Sequence, residues 1–205
     1  MHAAVGDVVP AEPDPGGRDS DLDAALRAAR DGDEAGFVVL YRDLQPRLLR
    51  YATALVGTEA EDVTAETWLQ VARGIRGFVG DHDGFRGWVS TICRNRAMDS
   101  ARKAARRPSD PTDAGALAEV PDRQDAYEAA VGALATRWAM ELIMKLPRTE
   151  AEAVLLRAVV GLDAPTAARV LGKRPGAVRV AAHRGLRRLA GMLQDDRGNE
   201  GGRHG

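Results

Sequence analysis

The chain has 205 residues, 44% hydrophobic and 29% charged, with a formal net charge of −1, which is enough material for one large or two small domains. It has no run of 18 apolar residues to span a membrane and no basic-then-apolar opening of a secretion signal, so a cytoplasmic protein is expected. A single cysteine, Cys93, excludes an internal disulfide and a multi-thiolate zinc site, and scattered His2, His82, His183 and His204 sit in no metal, phosphate-loop or nucleophile motif, so no catalytic residue, cofactor or metal is expected.

Residues 1–20 carry Pro10, Pro13, Pro15, Gly6, Gly16 and Gly17 without helical or strand period and read as a disordered tail. A first helical domain is predicted over 21–107. Its early apolar residues, Leu22, Leu26, Phe37, Leu40, Tyr41, Leu44, Leu48 and Leu55, recur at roughly helical spacing and read as core. The next helix, from about Thr58 to Arg73, gathers Glu59, Glu61, Asp62 and Glu66 near its start, where the helix dipole favours anions. Those acids lie beside Trp68 and Leu69, and the ridge suits docking on a basic partner as well as simple dipole compensation.

After the loop GFVGDHDG, the segment FRGWVSTICRNRAMDSARKAARR changes character along its length. Phe85, Trp88, Val89, Ile92 and Cys93 fall on one face and anchor its first half. From Arg94 to Arg107 there are six basic residues against one acid, Asp99. A buried start and a cationic end suit a helix lying along a phosphate backbone; a solvated face with Asp99 paired to Arg96, Arg102 or Lys103 is the plainer reading.

Residues 108–125, rich in proline and acid, read as a flexible linker between two helical domains. The second domain is predicted over 126–194. Trp138, Leu142, Ile143 and Leu146 form one stripe, and Val154, Leu155, Ala158 and Val159 another. A helix-turn-helix follows. Asp163 is placed to N-cap its first helix with Pro165 in the opening turn, Gly172 to take the left-handed C-cap, and Pro175 to open the second helix. In that helix Val178, Ala182, Leu186, Leu189 and Leu193 fall on one side. Arg179, His183, Arg184, Arg187 and Arg188 sweep the other, with no acid between Arg169 and Arg188. Residues 195–205 read as a second disordered tail. The fold class is all-α, two small helical domains on either side of a linker.

Taken together and in this order, AEDVTAETWLQVARGIRGF, FRGWVSTICRNRAMDSARKAARR, LPRTEAEAVLLRAVVGL and the helix-turn-helix resemble an extracytoplasmic-function (ECF) sigma factor of bacterial RNA polymerase, of the sigma-70 family. The resemblance covers about Asp21 to Leu193. It implies that 21–107 is sigma region 2 and 126–194 sigma region 4. It also implies core polymerase, through its beta-prime clamp helices and beta subunit, and promoter DNA as partners, and commonly an anti-sigma factor.

Residue by residue, the resemblance assigns Glu61, Asp62, Glu66, Trp68 and Leu69 to the polymerase contact, some of them serving the core. The block Trp88, Ile92, Arg94, Asn95, Asp99 and Arg102 matches the segment that melts and reads the minus-10 element. The implied minus-10 set is Asn95, Arg96, Asp99, Arg102, Lys103 and Arg106, a groove tracking single-stranded phosphates. Trp88 is expected in the core, and the loop from Gly80 to Gly84 at the border of a base pocket. For the minus-35 element the set is Arg174, Arg179, Val180, His183, Arg184, Arg187 and Arg188, with Val180 placed to touch a thymine methyl. Thr166, Ala167 and Ala168, and Ala177, Val180 and Ala181, depart from the family pattern, so the minus-35 grip is expected to rest on few polar contacts.

The alternative is a stand-alone helix-turn-helix repressor or activator. The first domain discriminates, because such a regulator needs no acidic docking helix beside a strand-opening arginine segment.

Overall fold

The computed structural model describes residues 15–106 and 136–201, and side chains over 19–106 and 136–194. The linker 108–125, residues 126–135 of the predicted second domain, and residues 1–14 and 202–205 of the predicted tails lie outside the described residues. Within them every regular element is helical.

The first domain is built from α1 (Pro15–Asp31), α2 (Glu34–Val56), α3 (Ala60–Gly74) and α4 (His82–Arg106). α1 and α2 form a tight antiparallel pair. Gly32 adopts φ +97 in the turn between them, and the Asp33 side chain accepts the Ala35 N–H at 3.0 Å to cap α2. Gly36 then lets the two backbones touch, since a Cβ there would stand 2.7 Å from the Ala25 carbonyl oxygen. Leu26, Leu44, Leu48, Tyr51, Val71, Phe85 and Val89 fill the centre, fully buried. Burial of each such aliphatic side chain contributes about 1.5–3 kcal/mol.

Two expectations shift here. α1 begins at Pro15, inside the segment read as disordered, and its Asp19 reaches buried His82 at 3.5 Å, with Asp23 and Asp83 also beside that imidazole. A long-range anchor of this kind is invisible to local composition. Tyr41, read as core, is instead half-exposed on the outer face of α2.

The second domain comprises α5 (residues 136–144), α6 (Arg148–Val154), α7 (Ala164–Leu171) and α8 (Pro175–Gly201). α6 runs on into one π-helical turn, Leu155–Val159, closed by the Val160 N–H on the Leu155 carbonyl at 3.0 Å. That turn inserts an extra residue and advances the helix phase by about 100°. The expected stripe is corrected accordingly: Leu156 and Val160 are buried and Ala158 is exposed. Trp138 also leaves its expected stripe and is exposed, while Leu142, Ile143 and Leu146 are buried.

The helix-turn-helix caps form as the sequence specifies. Asp163 accepts the Thr166 N–H at 2.7 Å; hydrogen bonding from the Thr166 side chain, and then from its backbone, holds the Asp163 carboxyl below the usual range, and Gly172 takes φ +63. The face α8 turns inward is corrected: Val178, Ala182 and Gly185 are buried, Leu189 partly so, and Leu186 is exposed. Gly185 is the crossing point, where a Cβ would meet the Val154 side chain at 2.7 Å. A glycine on the contact face leaves no mark in an apolar stripe. α8 also continues to Gly201, into the segment read as a tail, because extending a helix already nucleated costs far less than starting one.

The two domains pack directly on each other, α4 against α7 and α2 against the π-turn. Their buried side chains form one continuous apolar cluster.

Candidate nucleic-acid and polymerase interfaces

On α8, every side chain singled out for minus-35 contact is exposed: Arg174 in the turn, then Arg179, Val180, His183, Arg184, Arg187 and Arg188. Buried Val178, Ala182 and Gly185 orient this arc by fixing which side meets α6. Arg188 differs from the rest, since its Nε stands 2.9 Å from a carboxylate oxygen of nearly buried Glu150. It ties α8 to α6. The others make no ion pair among the described residues, so phosphate contact breaks no existing bond. Val180, half-exposed among these cations, shares a shallow hollow with Gly176, Ala177, Ala181 and Arg184.

The cationic half of α4 is arranged differently. Arg94 turns inward and donates from Nη2 to Glu152 of α6 at 3.1 Å. Arg96 donates to Glu66 at 2.9 Å and to Gln70 at 3.1 Å, both on α3. Arg102 donates to Asp99 at 2.9 Å, the local pairing anticipated for that acid. Asn95, Lys103 and Arg106 are exposed. A furrow of about 560 Å³ between α3 and α4 is lined by Glu59, Asp62 and Glu66 on one bank and Arg96, Arg102, Lys103 and Arg106 on the other. The residues assigned to polymerase and to minus-10 DNA therefore adjoin, bridged by Glu66 and Arg96. Both partners of that bridge are solvent-accessible, which makes it worth roughly 0–1 kcal/mol.

On α3, Glu61, Asp62, Glu66 and Leu69 are exposed, Leu69 to 58%. Trp68, assigned to the same contact set, is only 6% exposed, so it is one of those serving the core. Its ring packs against Phe37 and Tyr41 at centroid distances of 5.7 and 4.9 Å, and its Nε1–H donates to Gln45 at 2.6 Å. A buried indole needs such an acceptor. With Trp68 fixed, Leu69 is held outward. Tyr41, packed on Trp68, extends this apolar surface, and the sequence reading placed it in the core instead. The usable signal is its position one turn from Phe37 on a helix whose inward face is already filled by Leu40 and Leu44.

Trp88 sits in an aromatic cluster with Phe78 and Phe85, at 5.2 and 6.0 Å, and its ring edge lies 3.1 Å from where a Gly74 Cβ would stand. The loop at Gly80 borders a hollow of about 410 Å³, whose other walls are Gly87, Trp88 and Thr91 of α4 and Thr166, Arg169 and Val170 of α7. Cys93 lies on the buried face of α4, its thiol pushed up to about 12 by burial.

Comparison with known proteins gives two family matches along the chain: Sigma-70 region 2 over residues 40–107 and Sigma-70 region 4 over residues 136–189. The ECF RNA polymerase sigma factor ShbA of Streptomyces griseus subsp. griseus is 30% identical over 84% of this chain and 95% of its own length. BldN of Streptomyces coelicolor, also an ECF RNA polymerase sigma factor, is 30% identical over 83% of this chain, which spans 65% of BldN. In fold, the chain resembles sigma factor RpoE of Bartonella quintana, solved with the anti-sigma factor NepR, at a TM-score of 0.58 and 21% identity, covering 77% of this chain and 96% of that one. The region 2 match lies on the very domain that a stand-alone regulator would not need, and nothing supports that alternative. The chain belongs to the extracytoplasmic-function family of RNA polymerase sigma factors, within the sigma-70 class.

Proposed function

We propose that this sigma factor docks on core polymerase through the exposed face of α3 and grips promoter DNA at two points, α4 at the minus-10 element and α8 at the minus-35 element. The observation that carries this reading is the pairing of two cationic helices in separate domains with an acidic, Leu69-bearing face beside the first of them. Glu61, Asp62 and Glu66 supply charge to a basic polymerase surface, and Leu69 supplies an apolar anchor held out by Trp68. Lys103 and Arg106 take phosphates, Arg96 and Arg102 join them when their local carboxylates are displaced, and Asn95 meets base edges. Asp99 serves by orienting Arg102.

On α8, Arg174, Arg179, His183, Arg184 and Arg187 supply phosphate or base-edge contacts, Val180 an apolar one, and Arg188 positions the helix. One bidentate arginine–guanine pair gives about 1–3 kcal/mol of discrimination. Bond-making chemistry stays with the polymerase, and the work is done in the cytoplasm. An anti-sigma factor that covers the α3 and α4 surfaces is the expected regulator, as the NepR complex of the RpoE relative suggests; titration of the chain with core polymerase and a candidate inhibitor tests this, and simultaneous binding at undiminished affinity argues against it.

Reconstitution with core polymerase on a promoter library, followed by transcript mapping, tests the reading as a whole. Transcripts should start a fixed distance downstream of a shared two-part sequence. Absence of polymerase binding would sink the proposal.

A further inference from the structure

Two guanidiniums converge on the loop that follows the π-turn. Gly161 takes φ +84 there, a conformation that glycine adopts without strain and other residues do not, so no side chain fills the space beside its Cα. The point where a Cβ would stand is 3.4 Å from Nη1 of Arg47 on α2 and 3.6 Å from Nη1 of Arg86 on α4. Apart from the loop's own neighbouring residues, no other described heavy atom lies within 4 Å of that point. Two cations therefore face one open position.

The remaining nitrogens show that these cations are only partly matched. Nη2 of Arg47 is turned to Asp43 at 3.7 Å, and Nη2 of Arg86 to Asp83. Among the described residues neither Nη1 has a hydrogen-bond partner, and Nε of Arg86 is buried with none. The two side chains are 30% and 16% exposed, so water screens their mutual repulsion less than it would on an open surface. Arg157 adds a third positive charge beside the same loop, its Nη1 donating to the Leu162 carbonyl at 2.7 Å. Three guanidiniums thus surround the loop, with Asp43 and Asp83 as the carboxylates paired to them.

We propose that this cleft is an oxyanion site, in which a phosphoryl group sits over Gly161 and accepts hydrogen bonds from Nη1 of Arg47 and Nη1 of Arg86. The donors select the class of ligand. Guanidinium N–H groups form charge-assisted bonds of about 2.7–2.9 Å to phosphate oxygens, and their rigid planar array suits a group with several acceptor oxygens better than a monatomic ion. The chain supplies no acceptor of its own at this position, because Gly161 has no side chain and the two nearby acids are engaged by the Nη2 atoms. Arg47 and Arg86 lie outside the surfaces assigned above to polymerase and promoter, so the site stands whether or not that assignment does. The phosphoryl group is carried by a small soluble molecule or by a DNA backbone.

Equilibrium dialysis of the full-length chain against radiolabelled inorganic phosphate, at constant sodium chloride, tests the site. One phosphate should bind per chain and, at about ten times its Kd, raise the thermal midpoint by about 3–6 °C. Arg47→Gln and Arg86→Gln should each weaken phosphate binding about tenfold or more, and Arg47→Lys, which keeps the charge but not the planar donors, should weaken it less. Arg50→Gln, exposed on the same helix, should bind phosphate as the natural chain does. If Arg86→Gln fails to fold by circular dichroism, Arg47→Gln at the more exposed position still decides.

A short duplex of arbitrary sequence separates the two carriers. Weaker duplex binding by Arg47→Gln than by Arg50→Gln makes the DNA backbone the source of the phosphoryl group, and equal binding makes it a soluble molecule. Absence of saturable phosphate binding by the natural chain, or binding as tight in Arg47→Gln as in Arg50→Gln, would overturn the proposal.

Discussion

α4 and α8 carry similar cationic sequences and are held in opposite ways. The arginines of α8 from Arg179 to Arg187 are exposed and make no ion pair among the described residues, whereas Arg94, Arg96 and Arg102 of α4 are each engaged by a carboxylate, on α6, α3 and α4 itself. A sequence reads both as basic stretches. On the proposed roles their costs differ, because DNA contact by α8 would release only counterions, while contact by α4 would first displace the carboxylates that hold Arg94, Arg96 and Arg102.

The sharpest way to break that comparison is to remove the acid that closes α4. Glu152→Ala should lower the stability of the chain by up to about 3 kcal/mol, as expected when a charged donor loses its acceptor, measured by denaturant unfolding with the natural chain as reference. Gly185→Val attacks the other helix. Its side chain enters the space of Val154, and overpacking of about 1–3 kcal/mol should loosen α8 and abolish minus-35 binding while the first domain's core stays intact by amide exchange.

Milder changes sharpen the contrast. Arg187→Ala should weaken promoter binding and, for a phosphate contact, flatten the salt dependence by about one counterion. Arg96→Ala should do less, since Glu66 already holds that guanidinium. Equal losses would erase the distinction between a free and an engaged helix. Asp163→Ala should cost about 1 kcal/mol through the lost α7 cap. Thr166 holds the Asp163 carboxyl below its usual range, so the cap's contribution is present at neutral pH and disappears as pH falls from about 3.9, the unperturbed value, through the lower folded one. Thermal melts of natural and variant chains should converge at acid pH. Smallest of all, Glu66→Gln should alter stability by no more than about 0.5 kcal/mol, because its bridge to Arg96 is exposed.

The parts of the fold that the sequence made legible are those set by local rules. Asp163, Pro165, Gly172 and Pro175 announce the helix-turn-helix because capping and turn chemistry act within a few residues. The spacing of Phe85, Val89, Ile92 and Cys93 likewise announces the buried half of α4. What stayed hidden depends on partners distant in sequence. Gly185 and Gly87 are contact residues by virtue of having no side chain, and only the helix facing them gives that meaning. Asp19 orders the start of α1 through His82, more than sixty positions along the chain. The π-turn moved Ala158 out and Leu156 in, a phase change that apolar periodicity does not foresee. At the candidate site, exposure of the α8 arc followed from sequence alone. The inward turn of Arg94 did not, because its partner Glu152 lies in the other domain.

The central claim, a two-point promoter grip that depends on polymerase, is tested most directly by footprinting a promoter obtained from the reconstituted library. With core polymerase present, the chain should protect two separated elements and make the downstream one reactive to single-strand probes; alone, it should protect neither. Protection of a single site by the chain alone, unchanged when core polymerase is added, would contradict the account.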